Sequence, residues 1–168
     1  MSPKKKSVVL PIDAINLTFF VRTGIDDDRV LQLAALYEVG EEMDPVVITR
    51  EHHELVDGRH RIAALDLLDR KEVECELIED ASQEELIGLA FKANTGGALP
   101  PTTADIEHTV RLLLDRKVLI SKIIELLPFP PSLTRKYVKG VQDKLRRTQL
   151  NRAVVAVADG EMTASAAA

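Results

Sequence analysis

Leu55-Val56-Asp57-Gly58-Arg59-His60-Arg61-Ile62-Ala63-Ala64-Leu65 joins a strand signal to a helix signal through one glycine. An apolar strand ends at Asp57, Gly58 permits a tight turn with close backbone approach, and a helix follows with two arginines and a histidine in its first turn. Cations at a helix N-terminus oppose the helix dipole, so their placement needs a reason. A bound phosphate supplies one, because the free N–H groups and positive end of the helix attract anions and Arg59 and Arg61 add charge-assisted contacts. His60, a residue type with an ordinary pKa of about 6.5, could donate to that anion or shuttle a proton. Arg61 is expected at the mouth of the helix with its head unburied. The ligand-free alternative pairs these arginines with some of the many nearby carboxylates. Strand, glycine and basic helix start occurring together favour the phosphate, in a pattern weaker than a full Walker loop.

Upstream, Ser7–Ile12 is a short β-rich run, and Val30, Leu33, Ala34 and Tyr37 fall at i, i+3, i+4 and i+7 within Asp26–Val39. That spacing predicts a helix, ended by Gly40. Val46-Val47-Ile48-Thr49 and Glu54-Leu55-Val56 flank Arg50–His53 and predict a hairpin. At its tip Glu51-His52-His53-Glu54 contains metal-capable residues, but neighbouring side chains point to opposite faces, so an exposed polar turn is favoured. Val73–Ile78 reads as a strand, Ser82 and Glu85 form a capping box for a helix through Ala93, and Thr95–Pro101 reads as a loop. Beyond the loop no strand is predicted. Thr103 can cap a helix to about Lys117, with His108 read as a surface residue, and Leu119–Leu127 is a short helix stopped by Pro128. After Phe129-Pro130-Pro131 a third helix starts at Ser132 or Thr134. Asn151–Ala158 reads as another helix, Asp159-Gly160 as a break, and Thr163 as the cap of a helix that stops at Ala168. Residues 148–168 are therefore expected to be the start of a further helical segment, cut short. The predicted class is α+β, with one domain over 7–95 and a helical one over 102–147.

The chain has 168 residues, 45% apolar and 29% charged, with a net charge of −5, which excludes a disordered tail. No apolar run approaches the roughly 18 residues that span a bilayer. The basic opening Met1–Lys6 is not followed by the apolar core of a secretory signal, so a cytoplasmic place is expected. Cys75 is the only cysteine, which excludes an intrachain disulfide, a zinc ribbon and a Cys-x-x-Cys pair, and it reads as a small apolar filler. Charge is unevenly spread. Residues 1–130 carry 15 basic against 24 acidic residues, whereas 131–152 carry seven basic residues against Asp143 alone. Two helices joined by a short rigid turn, the second one basic, are the sequence form of a helix-turn-helix, although a helical hairpin with solvent-facing cations shares the pattern. On the double-stranded DNA reading, Ser132, Thr134, Arg135 and Lys136 form the N-terminal turn that enters the major groove, and Lys139, Lys144, Arg146 and Arg147 contact phosphates. Such elements usually act in pairs, so a homodimer is expected, formed through a region beyond this chain.

Gly58-x-x-Arg61-x-x-Ala64 after a strand resembles the phosphate-binding box of the ParB and sulfiredoxin superfamily. Leu10-Pro11-Ile12, Val21-Arg22-Thr23, the Leu31–Gly40 helix and Asp44-Pro45-Val46-Val47-Ile48 follow the order seen in ParB N-terminal domains, so the resemblance covers about residues 7–147. It implies a small mixed-sheet N-terminal domain followed by a helix-turn-helix. It also implies a CTP phosphate held by Gly58, Arg59, His60, Arg61, Ala64, Arg22 and Asn94, with Mg2+ reached by Asn94 through the bound nucleotide. Nucleotide binding would then be a switch that closes two subunits on DNA. Three departures shape this expectation. Sulfiredoxins carry Gly-Cys-His-Arg, and Arg59 stands where their cysteine acts, which excludes sulfinic acid reduction. Chromosomal ParB proteins carry Glu-Asn-x-x-Arg, whereas Ala93-Asn94-Thr95-Gly96-Gly97 keeps only the asparagine, which argues against nucleotide hydrolysis. Ala93-Asn94, the glycine loop, Leu99-Pro100 and Asp105 look more like the ParB-like transcriptional regulators, so partition and transcriptional roles both stay open. Free serine kinases of the same superfamily carry Asp-Gly-His-His-Arg, which Asp57-Gly58-Arg59-His60-Arg61 resembles at four of five positions, but such a kinase has no need of the basic helix. A nuclease has the least support, since no carboxylate cluster with metal-binding spacing stands out.

Overall fold

The computed structural model describes residues 7–158; the break at Asp159-Gly160 and the helix from Thr163 lie outside the described residues. Strands β1 (Ser7–Pro11), β2 (Val46–Thr49), β3 (Leu55–Asp57) and β4 (Glu72–Ile78) form one mixed sheet in the order β1-β4-β2-β3. β2 runs parallel to β4, and β1 and β3 are antiparallel to their neighbours. The β2–β3 pair is the predicted hairpin, closed by the Thr49 N–H donating to the Glu54 carbonyl at 3.0 Å. At its tip His52 Nδ1 lies 2.6 Å from Asp80 Oδ1, an exposed polar pairing. Cys75 alternates inward with Val73, is fully buried, and has its thiol pKa pushed up by that burial, as suits a filler.

Helix α1 (Asp27–Glu38) is capped by Asp26, whose carboxylate accepts from the Arg29 N–H at 2.8 Å, and Gly40 follows it with a φ of +77°. Helix α2 (Arg59–Leu67) packs on α1 through the fully buried Ala64, against Val30, Leu33 and Ala34. The expected capping box of Ser82 and Glu85 opens α3 (Gln83–Thr95). At α4 (Thr103–Asp115) the cap is Thr102, not Thr103, and Arg116 ends it, short of Lys117. A second capping box, between Thr102 and Asp105, moves the boundary, because Thr102 alone lies three residues before a carboxylate that reaches back. α5 (Ile120–Leu126) and α6 (Pro131–Ala158) complete the order.

α6 departs from expectation by running unbroken through 148–158, so Asn151–Ala158 is its continuation and not a separate helix. It starts at Pro131, a residue whose fixed φ suits a first helical turn. Two cores hold these parts. Ile15, Val46, Ile48, Leu55, Ile62, Leu65, Val73 and Cys75 fill the sheet side. The larger cluster joins Phe19, Val21 and Val56 to Leu86, Ile87, Ala90 and Phe91 of α3 and to residues of α4, α5 and α6, so one core crosses the loop at 96–102. Phe129 meets Phe91 edge-to-face at 5.7 Å and Tyr137 at a tilt at 6.1 Å, pinning the proline-flanked turn before α6. No helix among the described residues is long and apolar enough to cross a membrane.

Candidate functional site

Four parts of the chain converge on a cleft of about 270 Å³: the Phe19–Arg22 segment, the first turn of α1, the β3–α2 turn, and the end of α3 with the loop to Leu99. Arg22, Arg29, Arg59 and Arg61 line it against Asp44 and Asp57, so a chain of net charge −5 presents a cationic cleft. Gly58 makes the turn at a φ of +111°, and α2 begins at the next residue with no side-chain cap, leaving its first N–H groups open.

Of the two arginines in the box, Arg61 is the one already engaged. Its Nη1 donates to the carbonyls of Asp44 at 2.5 Å and Pro45 at 3.0 Å, and its Nη2 to Asp57 Oδ2 at 2.9 Å. The side chain is 14% exposed, which corrects the expectation of an unburied head. Asp57 lies four residues back, within reach on the helix surface, and the chain entering β2 supplies two more acceptors. Arg61→Ala should therefore lower stability by about 2–3 kcal/mol, by stranding those acceptors. A urea midpoint equal to that of the parent would show the clamp to be incidental.

Arg59 is in the opposite condition. Its Nη1 is buried without a hydrogen-bond partner, its guanidinium sits 5.4 Å from the centroid of the Phe20 ring, and burial works against its charged form. His60 is half-buried, with Nε2 accepting from the Asp26 N–H at 3.1 Å and the ring edge-on to Phe20 at 6.1 Å. Burial holds its pKa below the ordinary value, helped by Arg22 and Arg29 and opposed by Asp26 and Asp57. Ala64, a residue of α2, is fully buried against α1 and does not line the cleft.

Arg22 is 7% exposed and tied into the fold. Its Nε donates to Asn94 Oδ1 at 3.1 Å, its Nη2 to the Leu99 carbonyl, and its Nη1 lies 3.8 Å from Asp105 Oδ2. Burial works to raise the Asp105 pKa, but hydrogen bonds from Thr102 and Thr23 outweigh it and hold the carboxyl below the usual range. Asn94 also donates from Nδ2 to the Ala90 carbonyl at 2.7 Å. With its oxygen facing Arg22 and Ala93 bringing no carboxylate, this corner does not fit a protein-held Mg2+. His108 is more than a surface residue, since its Nε2 lies 2.9 Å from the Phe20 carbonyl, and Thr109 Oγ1 donates to the Val21 carbonyl at 2.9 Å. The first turns of α4 thus grip the strip that forms one wall of the cleft.

On α6 the structure sorts the DNA candidates by face. Thr134, Val138 and Val141 turn into the core, so Thr134, fully buried with Oγ1 on the Pro130 carbonyl, cannot read a base. Ser132, Arg135, Lys136 and Lys139 fall at i, i+3, i+4 and i+7 and are all exposed. Arg146 and Arg147 are exposed further along, while Lys144 Nζ lies 2.6 Å from Glu107 Oε2 on α4.

No protein-family model and no curated protein matches the sequence. Solved structures do. A pNOB8-like ParB N-domain superposes at TM-score 0.54 with 18% identity, covering 70% of this chain and 45% of that one. The C2221 form of a Pnob8-like ParB-N domain gives TM-score 0.52 and 18% identity, over 67% of this chain and 46% of that one. This chain has the ParB N-domain fold. It spans just under half the length of those two chains. A C-terminally truncated chromosome-partitioning protein ParB from Caulobacter crescentus, complexed with CTP-gamma-S, aligns over 96% of this chain and 89% of its own at 14% identity and TM-score 0.49.

Within this ParB-like fold the box residues Gly58, Arg59, His60 and Arg61 and the distant Arg22 and Asn94 all reach one cleft. Phe20 and Arg29 also line it and were missed from sequence. Arg29 had one local signal, its place in the first turn after the Asp26 cap; Phe20 had none.

Proposed function

We propose that this chain is a ParB-like DNA-binding protein whose arginine cleft takes the phosphates of a nucleotide, CTP by its sequence resemblance, and uses that binding as a switch. The observation that carries the reading is the buried, partnerless Nη1 of Arg59 beside an uncapped helix N-terminus, a donor arrangement that an anionic oxygen satisfies. The cleft wall and the basic helix are mechanically joined in this reading. Phe20–Thr23 is held by Asp105, His108 and Thr109 of α4, and α4 packs on α6. A ligand that repositions Arg22 would therefore be felt at the Arg135 face. Ala93 in place of a carboxylate suits a switch that does not hydrolyse its nucleotide.

Isothermal titration with CTP, ATP, ADP and GTP, with and without duplex DNA, tests this directly. CTP binding that changes in the presence of DNA supports the switch. No nucleotide binding defeats it, and ATP turnover indifferent to DNA would replace it with a kinase.

Two substitutions on α6 should differ in kind. Arg135→Ala is expected to cost about 1–3 kcal/mol at a specific site and relax base preference, since it occupies the turn that would enter the major groove. Arg147→Ala should weaken binding to all duplexes and flatten the salt dependence by about one unit of slope. If both variants bind random duplex as the parent does across a salt titration, the basic face is merely solvated.

A further inference from the structure

We infer that His60 is a proton-sensitive positioning residue of the cleft, its neutral ring holding the start of α1 against the phosphate box and releasing it when protonated. The inference rests on the reading of the cleft as an anion site. His60 Nε2 accepts the Asp26 N–H at 3.1 Å, which requires the neutral ring with its proton on Nδ1. Asp26 is the N-cap of α1, and its carboxylate in turn accepts the Arg29 N–H at 2.8 Å. One imidazole nitrogen therefore links the helix that carries Arg59 and Arg61 to the helix that brings Arg29 to the cleft.

Protonation turns that acceptor into a donor, so two N–H groups face each other 3.1 Å apart and the α1 cap must move away. The charged groups around the ring come from every side: Arg22 from the preceding segment, Asp26 and Arg29 from the start of α1, Asp57 from the end of β3, and Arg59 and Arg61 from α2. Asp57 is already paired with Arg61 and Asp26 is occupied by the Arg29 N–H, which limits what either offers an imidazolium. Phe20 against the ring edge adds desolvation without a partner. Nε2 is occupied by the Asp26 amide, so the link to α1 runs through that nitrogen, while the Nδ1–H of the neutral ring is a separate donor.

The test has two arms. In the ligand-free protein, ¹⁵N and ¹H NMR should show the Nδ1–H tautomer of His60 near neutral pH, and the Asp26 amide should shift with the same midpoint as the ring. An Asp26 amide that stays put while His60 titrates overturns the inference, whether or not any nucleotide binds. In the second arm, CTP affinity is followed from about pH 7.5 to about pH 5 for the parent and for His60→Gln, whose amide oxygen can still accept the Asp26 N–H but does not titrate. The phosphate's own titration is common to both, so the parent should lose about five- to tenfold more affinity than the variant over that range. Equal profiles, or affinity that tightens on acidification in the parent alone, overturn the positioning role; the latter would make His60 a cationic ligand. Absence of CTP binding at any pH defeats the anion reading and leaves the NMR arm to decide the link to α1.

Discussion

Arg59→Ala is expected to lower nucleotide affinity by about 10- to 100-fold while changing stability by less than about 1 kcal/mol. The two effects part company because of where its hydrogen bonds are. Nη1 of Arg59 is buried with no partner, so in the ligand-free protein its removal strands no acceptor and relieves a desolvated donor. What the fold loses is the packing of the guanidinium over Phe20, a contact of modest worth at a partly exposed site. A phosphate oxygen that completes the guanidinium would lose a charge-assisted bond outright. Calorimetry with CTP beside a urea titration reads both quantities. Unchanged affinity in the folded variant would sink the phosphate assignment. Arg61→Ala should show the reverse weighting, because three of its bonds are already made within the chain.

Gly58→Ala should be the most damaging single change to the fold, with a loss of about 3 kcal/mol or more. The φ of +111° is one that L side chains rarely adopt, and a Cβ there would lie 2.6 Å from Val46 Cγ1, 2.8 Å from Val46 Cβ and 3.2 Å from Val46 Cα. Val46 is fully buried in β2, the strand hydrogen-bonded between β4 and β3, so it has nowhere to yield. Separating the two strands would also shift the carbonyls that hold Arg61. A lowered urea midpoint with weakened nucleotide binding is expected together. A variant as stable as the parent would mean that the turn can be rebuilt, and that Gly58 is present for ligand approach alone.

The local elements were legible in the sequence because the interactions that set them span at most a few residues. Gly40 after α1, Ser82 with Glu85 at α3, and Gly58 between a strand and a basic helix are each decided within one turn of chain. The apolar spacing of α1 likewise marked its inner face, where Val30, Leu33 and Ala34 are buried. Thr134 stands between these cases: it shares the i, i+4 and i+7 spacing of Val138 and Val141, a period that was present in the sequence but masked by the basic residues beside it. What no local rule could supply was the state of each charged side chain. Arg61 and Arg59 are two residues apart on the same helix, yet one is saturated by Asp44, Pro45 and Asp57 and the other has a buried nitrogen left over. Arg22 meets Asn94 and Asp105 more than seventy residues away, and His108 meets Phe20 at a similar remove. Hydrogen-bond saturation depends on which carbonyls and carboxylates the packed chain brings within about 3 Å, and that distance is set only when the sheet, α1 and α4 close around the cleft.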